Sequence, residues 1–107
     1  MGADMFGDSY SLLREAILSR QQVTCTYQGY DREVCPHALG TKNGRQKVLC
    51  YQFGGTSRTG LPPGGEWRCL FVEQIGSAAL RDGPWHTGES HTEPQTCVDE
   101  IDVEVRF

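Results

Sequence analysis

No apolar run in this 107-residue chain approaches the roughly 20 residues that cross a bilayer, so no membrane partner is expected. The first eight residues are acidic and lack the basic leader and apolar core of a signal peptide, so secretion is not expected either. The five cysteines (Cys25, Cys35, Cys50, Cys69, Cys97) form no Cys-x-x-Cys. An odd, widely spaced set argues against both a disulfide framework and a four-thiolate zinc site. Cys25, Cys50 and Cys69 fall inside expected strands, so the expectation is reduced thiols packed as small hydrophobes in a cytoplasmic protein. Internal repeats and low-complexity tracts are missing too, which excludes solenoid and fibrous architectures.

What remains is ordinary globular material for one domain, 37% hydrophobic and 22% charged. The net charge of -4 is unevenly spread. Residues 1–81 carry nine basic and seven acidic groups, whereas residues 82–107 set Arg106 against seven acidic ones. That is a mildly basic body with an acidic tail, a pattern open to two readings, an anionic partner or a solvated surface.

Asp8 or Ser9 suits an N-cap, and Leu12, Leu13, Ala16 and Ile17 form one apolar stripe, which predicts a helix over 9–20. Residues 22–27 alternate as a half-buried strand, followed by a turn at Gln28-Gly29-Tyr30-Asp31. A second strand starts at Arg32 and is expected to stop at Pro36, which donates no ladder hydrogen bond; a separate short segment covers 37–41. Asn43-Gly44 favours the two positive φ angles of a type I′ turn, so 46–53 should pair antiparallel with the segment before it. The glycine- and proline-rich residues 54–66 break the pattern, and 67–75 reads as the next strand, the partner of 47–53. Residues 77–80 read as a helical turn or a last β-edge, and 82–96 as a polar linker. Residues 97–107 hold a C-terminal strand with Ile101, Val103, Val105 and Phe107 on one face, which must close the sheet in cis or add to another protomer. The residue pattern thus predicts a mainly β domain, a strongly bent antiparallel sheet or barrel over 22–81, with one N-terminal helix across an open end.

Several short motifs recur in a familiar order: Leu13-Arg14-Glu15-Ala16-Ile17, Val23-Thr24-Cys25-Thr26-Tyr27, Arg32-x-Val34-x-Pro36-His37, Lys47-Val48-Leu49-Cys50-Tyr51, and Trp67-Arg68-x-Leu70 with Ile75. Over residues 10–76 this order resembles the WYL domain family of bacteria. The name-giving triplet falls at Lys47-Val48-Leu49, of which Leu49 agrees, and Gln74 stands where the family has a second arginine. The resemblance implies an SH3-like or Sm-like antiparallel barrel. It also implies a regulatory, ligand-sensing module that binds nucleic-acid pieces or other anions, here as a stand-alone relative without a helix-turn-helix. It places His37 and Arg68 along the ligand groove and matches Arg32 to the arginine of the strand ending in Pro-His.

The side-chain chemistry agrees with an anionic ligand or single-stranded nucleic acid as partner. Arg32, Arg58 and Arg68 offer planar donor forks for phosphate, while Tyr27, Tyr51 and Trp67 offer faces on which a base can stack. Ser57 and Arg58 lie in a Gly-rich loop whose N–H groups could wrap a phosphate. The bland alternative is that the strand aromatics are core and that Arg32 pairs with Glu33 or Glu73. Cys35, His37, His86, His91 and Cys97 lack zinc-finger spacing, so no metal or other cofactor is expected. No Gly-x-Ser-x-Gly or comparable motif is present, so the expectation is a binding module and not an enzyme. The alternative is a structural module that forms a homodimer through its C-terminal strand.

Overall fold

The computed structural model describes residues 5–58, 60–88 and 96–105. A helix, α1 (Met5–Ser19), precedes β1 (Gln22–Tyr27), β2 (Tyr30–Lys42), β3 (Arg45–Gly55) and β4 (Glu66–Phe71). A single 3-10 turn (Val72–Gln74) then leads into β5 (Ile75–Arg81), and β6 (Glu100–Glu104) ends the described chain. All pairings are antiparallel in the order β4-β3-β2-β1-β5, with β6 attached to β2. The mainly β expectation with one N-terminal helix holds, but the sheet does not close into a barrel. Its end strands β4 and β5 are joined by the 3-10 turn and not by a ladder.

The helix starts earlier than the Asp8 or Ser9 cap predicts. It ends where Arg20 adopts a positive φ of 53°, with Gln21 N–H donating to Ala16 C=O at 2.9 Å and Arg20 N–H to Ile17 C=O at 3.4 Å. These two bonds satisfy carbonyls that the last turn would otherwise orphan. The stripe of Leu13, Ala16 and Ile17 is buried against Val23, Val34, Leu39, Val48, Leu70, Val72, Val103 and Val105, which form one core.

Hairpin chemistry sets two of the turns. Asn43 and Gly44 take φ of 54° and 78°, and Gln28 and Gly29 take 54° and 82°, both close to type I′ geometry. Pro36 does not end its strand as predicted. On one edge β2 pairs with β1 up to Val34 and with β6 from Ala38, and Pro36 falls in the gap between those partners. A missing N–H costs nothing on that side, and the register slips at the same place. The 67–75 strand is interrupted: Val72 is buried within the 3-10 turn, so the apolar run masks a corner. The C-terminal segment takes the cis alternative on β2; Phe107 lies outside the described residues.

Two cysteines depart from expectation. Cys69 on β4 and Cys97 form a disulfide, while Cys25, Cys35 and Cys50 are free and buried. Burial raises all three thiols, Cys25 to about 11, which keeps them protonated and inert. Of the 82–96 segment, residues 82–88 and 96 are described, and there Trp85 and His86 pack on ring side chains of the sheet, His37 and Phe53; 89–95 lie outside the described residues.

Tyr10 ties α1 to β6 by donating its hydroxyl to the Asp102 carboxylate at 2.7 Å. Burial, and then that carboxylate, push its phenol up to about 12. Because the folded state favours the protonated phenol, this contribution is intact below the unfolded value of about 10 and is lost as pH rises from there through 12. Tyr10→Phe is expected to cost about 1 kcal/mol at pH 8 and less at pH 11, read from thermal melts at the two pH values. An equal loss at both would show that the bond to Asp102 carries none of it.

Candidate functional site

The β1–β2 hairpin sets Arg32 opposite the buried Cys25, where the residue keeps only 4% exposure. One guanidinium nitrogen, Nη1, donates to Gln52 Oε1 at 3.3 Å and the other, Nη2, to the Tyr27 carbonyl at 3.3 Å, with the Tyr27 ring centroid 5.1 Å away. Its Nε has no partner, and among the described residues no carboxylate pairs with it. Neither Glu33 nor Glu73 does so: Glu33 pairs with Arg81 and Glu73 with Arg45. Gln52, fully buried, is oriented by donating its amide to the Gly54 and Thr56 carbonyls at 3.0 and 3.1 Å, which turns its oxygen toward Arg32.

Arg68 comes from β4, opposite Cys50 on β3. Its Nη2 donates to Ser57 Oγ at 3.1 Å and Gly60 C=O at 3.0 Å and pairs with Glu66 at 3.2 Å, while its Nε is buried without a partner. Ser57 in turn donates to Gly60 C=O at 2.7 Å, and Gly60 N–H returns to Ser57 C=O at 3.1 Å. The described part of the Gly-rich loop is therefore a braced turn at the edge of the site.

Between these elements lies an open cleft of about 460 Å³ lined by Tyr27, Gln28, Arg32, Ser57, Arg58, Arg68, Cys69, Leu70, Phe71 and Gln74. That volume suits a small ligand. Burial, and then the charge of Arg68, push the Arg32 guanidinium below its ordinary range. Arginine starts so high that it keeps its charge at neutral pH. A buried cation without a counter-charge is costly, and an anion entering the cleft would relieve that cost.

Arg32, Arg58 and Arg68 thus come together, but His37, Tyr51 and Trp67 do not join them. Side chains alternate along a strand, so Trp67 faces away from Arg68, and Tyr51 away from Gln52. On that other face, His37 sits 4.7 Å from Trp67 and 5.0 Å from Trp85, and Tyr51 5.2 Å from Trp67, ring to ring. His37 Nδ1 lies 2.7 Å from Cys35 C=O and must donate to it, and Nε2 is hydrogen-bonded with Thr87 Oγ1 at 3.0 Å. These rings form a wall under the 82–88 segment. Gln28, Gln52, Phe71 and Gln74 are additions that sequence reasoning missed as site residues. A polar Gln52 at a core parity within Val-Leu-Cys-Tyr-Gln-Phe was the available signal.

Among the described residues, no three His, Cys, Asp or Glu side chains converge as metal ligands; Cys97 is committed to its disulfide, and His91 lies outside the described residues. No helix is long and apolar enough to cross a membrane among the described residues. No protein-family model, curated protein or solved structure matches the chain.

Proposed function

We propose that this chain is a WYL-like, ligand-sensing module that binds a negatively charged ligand, with a short single-stranded oligonucleotide as the leading candidate, in the cleft between Arg32, Arg58 and Arg68. The observation that carries the reading is Arg32: a buried guanidinium that, among the described residues, has no carboxylate and no partner for its Nε, next to a second arginine whose Nε likewise has none there. Structural arginines are buried with their counter-ions, whereas ligand sites keep donors unspent. The strand order, with a 3-10 turn before β5, which returns to β1, supports an open relative of the SH3-like or Sm-like barrel. The assembly alternative has less behind it, since β6 already spends one edge on β2.

Fluorescence-anisotropy titration with short single-stranded DNA and RNA tests the reading. Binding is expected at low ionic strength, weakening as salt rises because phosphate contacts release counterions. Arg68→Ala should weaken it about tenfold. Absence of binding at low salt, or binding indifferent to Arg68→Ala, overturns the reading.

A further inference from the structure

We propose that the cleft takes the terminal phosphate monoester of a nucleotide or short oligonucleotide, with two negative charges, and not a phosphodiester from within the strand. This rests on the anion-binding reading and adds the form of the anion.

Charge favours the monoester. Among the described residues, three guanidiniums line the cleft, and one carboxylate, Glu66, pairs with one of them, Arg68, at 3.2 Å. An excess of two positive charges remains. A backbone phosphodiester carries one negative charge, whereas a monoester carries close to two at neutral pH. In a partly desolvated site, charge left unmatched is expensive, so the monoester is favoured.

Shape favours it as well. Of the cleft's arginines, Arg32 is buried, held by fully buried Gln52, whereas Arg58 is exposed, so the Arg32 cation offers an anion little open surface. A phosphodiester has chain leaving on both sides and would bring a sugar on each side up to a guanidinium with so little open surface. A terminal phosphate has three free oxygens and one tether. The guanidiniums of Arg32 and Arg68 line the cleft as donors for those oxygens, and the lining also carries the amides of Gln28 and Gln74 as neutral partners for sugar or base.

The full chain is titrated with one hexanucleotide sequence bearing a 5′-phosphate, a 3′-phosphate or hydroxyls at both ends, the dye attached at the opposite end or internally. At pH 7.5 and low salt, one phosphorylated form is expected to bind at least about tenfold more tightly than the hydroxyl form. The advantage should shrink toward pH 5.5, as the monoester takes up its second proton near pH 6. The charged and titratable groups around Arg32 are Cys25, Tyr27, Tyr30 and Arg68, with Glu66 and Arg58 beyond, and none is a histidine. Arg58→Gln, at an exposed position, should narrow the preference by removing one of the two excess charges. Equal affinity for phosphorylated and hydroxyl forms overturns the proposal and leaves the anion-binding reading standing; no binding by any form overturns both. If phosphoserine displaces the probe as well as a nucleoside monophosphate does, the monoester is upheld and the nucleotide assignment overturned.

Discussion

Gly40→Ala should lower stability by about 3 kcal/mol, or about 15 °C in the thermal midpoint of a domain this size. Gly40 lies in β2 between Lys47 of β3 and Ile101 of β6. A Cβ there would run into the Glu100 carbonyl oxygen, with Val98 Cγ1 at 2.7 Å. The obstacle is backbone, so rotamer changes cannot relieve it, and either β2 bends or β6 lifts off. Lifting β6 exposes Val103 and Val105 and removes Asp102 from Tyr10, so the loss spreads to the helix contact. Thermal melts give the size, and hydrogen exchange at the amides of Asp99 and Val105, which donate to Thr41 and His37, gives the place. Ile101→Ala, at a side chain 43% exposed, should cost far less. A Gly40→Ala protein as stable as its parent would show that β6 does not lie on β2 as described.

How far the chain could be read depends on whether a feature is local. Asn43-Gly44 was legible because two consecutive positive φ angles need those residues, and the stripe of Leu13, Ala16 and Ile17 because period 3.6 is written in neighbours. Pro36 misled because its effect depends on which partner lies opposite, and the change from β1 to β6 involves residues about 65 positions beyond it. The 3-10 corner was hidden by Val72, as apolar as the strand before it. Cys69 and Cys97 meet through the path of the whole chain, 28 residues apart in sequence, which no spacing rule announces; their disulfide also removes the reduced-thiol argument on which a cytoplasmic placement rested.

The site was half legible for a similar reason. Arg32, Arg58 and Arg68 were identifiable by chemistry, and the cleft brings them together. Trp67 was assigned to the same groove as Arg68, although adjacent residues in a strand face opposite ways, so the period of two was enough to separate them. What no local pattern could supply is that Arg32 is buried without a carboxylate partner among the described residues. That follows from Glu33 and Glu73 being taken by Arg81 and Arg45.

Arg32→Met is therefore expected to separate binding from folding. Methionine keeps an unbranched apolar stem of similar length and removes the charge. Two effects on stability oppose each other. The variant no longer buries an uncompensated cation, which is favourable by up to a few kcal/mol, but it gives up two hydrogen bonds of 3.3 Å and leaves Gln52 Oε1 without its donor, at about 1–3 kcal/mol. The sum should leave stability within about 1 kcal/mol of the parent, whereas affinity for the anionic ligand falls about 100-fold because the deepest charged donor is gone. Arg32→Lys retains the charge without the planar fork and should fall between, near a tenfold loss. Thermal melts and anisotropy titrations on the same samples give both numbers. If Arg32→Met instead unfolds the protein by 3 kcal/mol or more, about three times the change allowed above, or binds as the parent does, Arg32 is a structural cation and the cleft loses the observation on which its function rests.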